Sequence, residues 1–593
     1  MNRRTILKTS VAALALSSAA VIGAPAFAAD VTFDRLTNPE PENWLMYGGN
    51  YSGWRHSALD QINQTNAGDI EVKYIFAIGG RADGGTLGCL EEGVILADAG
   101  TLYTVDCYAR IMAWDASSGA AAVPIWRYDP EITKARTQRG LALMDDGVFI
   151  GTNDTRMIRV NAATGEVVWE VQAAAAPDPT YGTPSPDTQG FTTEPIALQT
   201  AAGRKLVVQG ESTGGQQGTI SWVGAWDQAA GDFVWRTFTI PFPGEPGHET
   251  WADDHEAWRT GGGGVWSHPT FDPVTNLIYH GTGDAMPSFD PAFRPGDNLY
   301  TASTIALDAD TGALTWYFQI VPNEQWDFDQ PTTRMLYDAA DGVPGVMTFA
   351  RSGHLYTQDR RDGTILNVVE YQPTNWTAGI DSKTGLPVDY VAGAGVQTYA
   401  GVGPVRGQTT GDSCPQWNTS ATALNPPSYD PDRRLAYLQF GEGCAGGATL
   451  TAWPDEAEAR TTNGLSRLGQ GAGTTVQRTP PAVPPVYTVA AYNIDTGERV
   501  AEFKSPSDNA TPFGGVLTTA GGVAMAGTLD GDVRVFNSDT LEVLYTFNIG
   551  MEIGAPFSTW AVDGQQYFGV VGGGNGNGLQ RRSATAVVFG LGD

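Results

Sequence analysis

Cysteine is scarce in this 593-residue chain: there are four, too few for a scaffold held together mainly by disulfides. Histidine numbers only six, and none falls in a metal-ligand spacing such as His-Glu-x-x-His. Cys-x-x-Cys-His does not occur, so no covalently attached haem is encoded. Basic residues are outnumbered, 35 Lys plus Arg against 65 Asp plus Glu, for a formal net charge of −30. A surface of that sign repels phosphates and anionic lipids, which excludes nucleic acid and an anionic membrane face as partners. Beyond the leader there is no run of 18 uninterrupted apolar residues, so no membrane span is expected. Helical periodicity is confined to short pieces such as 455–460. Glycine, by contrast, is abundant: there are 74, with 36 prolines, and the 41% hydrophobic content is ample for a large core. That combination indicates a turn-rich folded chain rather than disorder.

Residues 1–28 read as an export signal. Arg3, Arg4 and Lys8 form a basic end, 11–23 is apolar and small, and Ala26-Phe27-Ala28 offers a cleavage site. The run 3–8 resembles a twin-arginine signal, although an ordinary secretory signal can carry the same pair. Either route places the mature chain in the periplasm and its cysteines in an oxidising compartment. Cys89 and Cys107 lie symmetrically about residue 98, where a turn near Ala99-Gly100 joins two strand-like runs. A hairpin there sets them opposite each other, with free buried thiols as the alternative. Cys414 and Cys444 bracket a second pair of strand-like runs, and both bridges are expected.

One phrase recurs after the leader: an apolar strand, a polar turn with Asp or Asn and Gly, then a strand often ending in Trp. It appears at 113–126, 159–169, 225–235 and 306–316, and more weakly at 357–366, 491–500 and 535–544. Asp-Pro turns at 271–279 and 429–437 serve the same end. Asp and Asn tolerate the turn conformation and Gly supplies positive φ, so each phrase predicts a β-hairpin. Repeated hairpins with a regular aromatic anchor indicate an all-β propeller occupying residues 29–593 as a single domain. Length alone fits six, seven or eight blades.

Several local motifs accompany the repeat in order. They are NWLMYGGNYSGWRHSALDQINQTN (43–66), PGEPGHETW (243–251), GGGGVWSHPTFDPVTNLIYHGTGDA (261–285), RPGDNLYTASTIALDADTG (294–312), QWDFDQ (325–330) and TPFGGVLTTAGGVAMAGTLDGDVRVF (511–536). Together they resemble the quinoprotein alcohol dehydrogenases of the methanol and ethanol dehydrogenase type, which use pyrroloquinoline quinone (PQQ). The resemblance implies an eight-bladed β-propeller with PQQ and a metal ion on its axis.

Residue by residue, the resemblance implies that Asp327 is the base, taking the hydroxyl proton as hydride leaves carbon. An Asp at the place of Asp329 accompanies members that take a lanthanide, and a small residue there accompanies calcium. Two metal positions depart from the usual pattern: Gln216 stands where Glu is usual, and Asp284 where Asn is usual. Both keep an oxygen donor and they exchange one charge for the other, so a compensated site for one Ca2+ or lanthanide ion is expected. Trp266 matches the tryptophan under the quinone, and Arg351 the cation at its oxygens. Arg139, Thr192 and Glu92 match further cofactor contacts; arginines suit a cofactor with three carboxylates. Adjacent cysteines usual just before Arg139 are missing from 134–138, and Phe513 replaces an expected Trp. An expected Asn has no clean counterpart, leaving Trp417, Asn418 and Asn425 as alternatives.

The function so implied is periplasmic oxidation of an alcohol, the altered cover favouring a bulky or secondary one, to an aldehyde or ketone. Electrons would pass to a separate acceptor such as a soluble cytochrome c. Two rivals stand beside this reading. A non-catalytic periplasmic scaffold requires no convergence of Asp327, Asp284, Gln216, Arg351 and Trp266. A serine hydrolase would use Ser212 in Gly-Glu-Ser-Thr-Gly, but the residues after it read as strand and hairpin rather than the helix that such an elbow needs.

Overall fold

A computed structural model describes residues 30–79, 91–133, 136–184, 186–214, 219–252, 256–400, 403, 406–416, 425–450, 476–511, 513–573 and 584–592. The leader 1–28, Cys89 (and with it the Cys89–Cys107 bridge), Gln216, Trp417, Asn418 and the segment 455–460 lie outside these residues.

The chain folds as an eight-bladed β-propeller whose blades each contain four antiparallel strands, the seventh extended by His56–Ser57 pairing parallel with its innermost strand Val516–Thr519. The first blade shows the pattern: Leu96–Asp98, Thr101–Val105, Ile111–Asp115 and Val123–Tyr128 run from the axis outwards. In the eighth blade an early strand, Ile70–Gly79, pairs antiparallel with Ala584–Leu591 and closes the ring. Burial follows radius. The second strand of the second blade, Gly147–Gly151, is buried throughout, whereas the outermost strand Arg499–Ser505 alternates between partly buried and exposed. The recurring phrases are the hairpins between third and fourth strands, and the two Asp-Pro turns join first and second strands. Both kinds lie on one face of the ring, because strand direction alternates through a meander. The connections from second to third strand, and from one blade to the next, lie on the other face.

The tryptophan repeat has a packing reason. Trp235, at the edge of the third blade, donates its indole N–H to the Ala309 carbonyl in the fourth blade's hairpin at 3.1 Å. In that hairpin Gly312 has φ of +73°, and a Cβ on it would sit 2.4 Å from the Trp235 ring. Glycine is therefore needed both for the turn and for the approach of the indole. Trp126, Trp169 and Trp316 make the same bond to Ala162, Gln228 and Arg360 of the next blade. Sequence repeat and ring symmetry are thus one fact: each blade's tryptophan locks onto the next blade's turn. The weaker phrases lack the indole. Val369 stands against Gly497, and Leu541 occupies the left-handed turn position at φ +57°.

The segment after the leader laces the innermost strands together. Trp44 exchanges hydrogen bonds with Ala97 of the first blade, and the Tyr51 hydroxyl donates to Ala197 of the third. Phe271 and Leu336 donate to the Tyr51 and Ser52 carbonyls, and Tyr429 to that of Trp54. Buried Arg55 then donates to Val516 of the seventh blade and to Phe557 beside the eighth. Cys414, which precedes the sixth blade, and Cys444, which follows that blade's second strand Leu435–Glu442, form the expected disulfide.

Candidate active site

The candidate residues fall on the face opposite the hairpin turns, each in a segment that approaches or leaves the axis. Glu92, Arg139, Thr192, Trp266, Asp327, Asp329 and Phe513 lie just before an innermost strand. Asp284 follows the second strand of the fourth blade, Leu277–Gly281, and Arg351 lies between Pro344–Phe349 and His354–Asp359 of the fifth. The ring therefore delivers side chains from distant parts of the sequence to one place.

Two groups form there. Asp284, Asp327 and Asp329 are buried, and one carboxylate oxygen from each lies within 4.8 Å of the other two. Arg351 Nη1 donates to the Asp327 carbonyl at 3.0 Å and to Asp329 Oδ2 at 3.0 Å, and lies 3.4 Å from Asp327 Oδ1. Asp329 Oδ1 accepts from the Asp284 amide at 2.7 Å. This closeness needs the glycines of the Gly-Thr-Gly motif: a Cβ on Gly283 would meet Asp329 Oδ1 at 2.7 Å, and one on Gly281 would overlap Gln330 O. In the second group Arg139 pairs through Nε with Glu92 at 2.9 Å and donates through Nη1 to Thr192 Oγ1 at 2.6 Å. The partly exposed Trp266 ring joins the two groups, with Arg139 5.3 Å and Arg351 5.1 Å from its centroid.

Charge at this site is crowded. Burial pushes the Asp284 carboxyl well above the ordinary carboxylate range, and Asp329 and Asp327 push it further. Burial raises Glu92 to about 7 against the opposing pull of Arg139. Asp327 itself has φ of +65°, a left-handed conformation that costs a non-glycine residue about 1–3 kcal/mol. Strain of this kind persists only where surrounding contacts impose it.

The residues fit both groups that the sequence implies. A hard cation prefers several oxygen ligands, and three convergent carboxylates provide them. Asp284 Oδ2 is buried without a hydrogen-bond partner, an oxygen left open on the axis. For PQQ, the accessible indole face of Trp266 offers a floor and the flanking guanidinium groups of Arg139 and Arg351 offer partners for carboxylates.

All the described candidates lie on this face, and all but Phe513 and Asn425 are tied into one of the two groups by the contacts above. Phe513 is buried at the entrance to Val516–Thr519, on a different blade from the aspartates. Of the three alternatives for the missing asparagine, only Asn425 is described. It is buried just before the innermost strand Ser428–Asp430 of the sixth blade, donates through Nδ2 to Gln439 O, and leaves Oδ1 without a partner. Ser212 is engaged with backbone: it donates to Val265 O and accepts from the Thr192 amide, each at 3.2 Å. Sequence reading missed Glu324, which is fully buried beside the aspartates, its carboxyl pushed up by burial to about 8. Three residues before Asp327 in an unremarkable polar turn, it carries no motif signal of its own.

Known proteins share this fold. Residues 44–383, more than half of the chain, match the family described as PQQ glucose/ethanol/alcohol dehydrogenase, beta-propeller domain. The chain is 29% identical to the quinohemoprotein alcohol dehydrogenase ADH IIB of Pseudomonas putida over 96% of its length and 79% of that protein's. It is 28% identical to the quinoprotein alcohol dehydrogenase PedH of Pseudomonas putida, covering 94% of this chain and 91% of the other. Among solved structures, the quinohemoprotein alcohol dehydrogenase from Comamonas testosteroni superposes with a TM-score of 0.78 at 26% identity, over 93% of this chain and 81% of that one. A europium-containing methanol dehydrogenase shares the fold with a TM-score of 0.80 at 24% identity, over 94% and 100% of the two chains. With its propeller, its axial aspartates and these relatives, the chain belongs to the PQQ-dependent glucose/ethanol/alcohol dehydrogenase family of oxidoreductases.

Proposed function

We propose that this dehydrogenase oxidises a bulky or secondary alcohol to the corresponding carbonyl compound in the periplasm, using PQQ and one calcium or lanthanide ion. The single observation that carries the reading is the convergence of Asp284, Asp327 and Asp329 beside Arg351 and Trp266. A propeller that merely scaffolds partners has no use for three buried carboxylates crowded on its axis, since such crowding is destabilising without a cation. Three carboxylates at one place suit a trivalent ion better than a divalent one.

When bound, PQQ would supply hydride-accepting chemistry and the metal Lewis-acid chemistry, with Asp284, Asp327 and Asp329 holding the metal and Trp266, Arg139 and Arg351 the quinone. The chain's own residues do the rest. Trp266 would provide the floor for PQQ, and Arg139 and Arg351 would engage the carboxylates and oxygens of the quinone. Asp327 accepts the alcohol's hydroxyl proton as the hydride leaves the carbon that bears that hydroxyl, so the substrate loses two electrons and two hydrogens. Arg351, held by the Asp327 carbonyl and Asp329, keeps that carboxylate from turning away. Thr192 and Glu92 fix Arg139 from two sides. The absence of adjacent cysteines from 134–138, together with Phe513 in place of a Trp, supports a roomier substrate side. The excess of acidic residues supports docking of a basic electron acceptor such as a soluble cytochrome c.

Reconstitution tests this directly. Protein stripped of small ligands is loaded with PQQ plus either Ca2+ or La3+, and assayed with an artificial electron acceptor against primary and secondary alcohols. Turnover with both PQQ and metal present, higher with La3+ and on secondary alcohols, is expected. No turnover with either metal on any alcohol refutes the proposal.

A further inference from the structure

The loop that carries Asp327 is held by a residue that the chemistry above does not use. Glu324 is fully buried, and its Oε1 accepts from two backbone amides, Trp326 N at 2.5 Å and Phe328 N at 2.9 Å. Those two amides flank Asp327, the residue with φ of +65°. One carboxylate oxygen thus grips the backbone on both sides of a left-handed residue. Such a grip rewards the turn with two hydrogen bonds that a relaxed backbone would forfeit, which offsets the strain. The Glu324 end is itself fixed. Its carbonyl accepts from Arg294, whose guanidinium also donates to Pro287 O at 3.1 Å, Ser288 O at 3.0 Å and Asn298 Oδ1 at 2.8 Å. On the other side, the Trp326 and Phe328 rings stack at 5.5 Å and pack against Trp376, so the aromatic neighbours of Asp327 cannot follow a backbone flip.

We propose that Glu324 is the positioning residue of Asp327: by gripping the amides of Trp326 and Phe328 it imposes the left-handed turn that sends the Asp327 side chain to the axis. It touches neither substrate nor cofactor in this scheme. The assignment rests on the proposed role of Asp327 for its catalytic consequence, but not for its structural content. What the grip requires is an oxygen acceptor of the right reach. A glutamine retains one, whereas an alanine has none and an aspartate is one methylene too short to reach both amides.

Hydrogen exchange and kinetics on the holoenzyme together decide it. In Glu324→Ala the peptide spanning 323–330 should exchange two further amides rapidly. Its kcat should fall about 10²-fold, the loss expected from misplacing a catalytic group by about an ångström, while KM changes little. Glu324→Gln should restore both slow exchange and most of kcat. If Glu324→Ala does not fold, Glu324→Asp carries the same test, with faster exchange and reduced kcat expected. Unchanged exchange in Glu324→Ala, or equal losses in the Ala and Gln variants, overturns the proposal, the latter because charge and not the grip would then matter. Should the wild-type holoenzyme oxidise no alcohol, the dehydrogenase mechanism fails while the exchange data still judge the grip.

Discussion

At the seam between the third and fourth blades, Trp235 covers Gly312 and gives its one polar hydrogen to a carbonyl. At the axis, Asp284, Asp327 and Asp329 crowd their carboxylates together with Arg351 as their cationic neighbour. Both regions are buried, yet they obey opposite rules. The seam is neutral, shape-matched and satisfied, so burial there adds stability. The axis gathers like charges, orphans an oxygen on Asp284 and strains the backbone of Asp327, so burial there costs stability until a cation arrives. The ring of seams is what lets the axis be so unfavourable. Function is concentrated where the fold is least content with itself.

This contrast can be broken at either end. The largest expected effect is on the axis: Asp327→Ala should lower kcat about 10³-fold, in the range for loss of a general base. Its thermal midpoint without ligands should match or exceed the wild type's, because one of three crowded like charges is removed while the left-handed turn keeps its cost with alanine. Undiminished turnover in this variant would deny Asp327 its role. At the seam the expectation reverses. Trp235→Ala should cost about 3–5 kcal/mol of stability in denaturant titration, while the folded fraction retains its kcat. A seam variant that loses turnover per folded molecule would show that the two regions are coupled.

The smallest effect concerns acidity. Burial holds Glu92 at about 7 rather than the ordinary 4.5, so the folded state keeps a proton that the unfolded state has lost. Its contribution therefore makes the ligand-free protein less stable as pH rises from 4.5 to 7, and the deficit persists above that. Glu92→Gln should remove this slope. The variant should thus gain on the wild type in thermal midpoint as pH rises through that window. A difference between the two proteins that stays constant across the window would show that Glu92 is not held protonated by its burial.

Much of this molecule is legible in its residues. The hairpin at 306–316 announces itself through Asp308, Gly312 and Trp316, because turn chemistry and indole packing are local rules repeated along the chain. Trp266, Asp284, Asp327 and Asp329 are legible as members of motifs, and Arg139 with Glu92 and Thr192 likewise. Glu324 is not, since a glutamate before an aromatic pair reads as an exposed polar turn until its neighbours are placed. Nor is the lacing by 44–55, whose hydrogen bonds go to blades tens to hundreds of residues away.

The sequence alone determined the class of fold, the positions of its turns and which side chains could serve a quinone and a metal. Fold class and turns follow from short-range preferences: glycine at positive φ, alternation along strands, aromatics at a fixed offset. The quinone and metal side chains follow only from the resemblance to the quinoprotein family. Only the tertiary structure decided that Asp284 and Asp329 meet through Gly283, that Arg351 reaches both Asp327 and Asp329, and that Glu324 grips the turn between them. Ring closure is the physical reason. It turns separations of tens to hundreds of residues into contacts of a few ångströms, and no local rule encodes which side chains will share the axis.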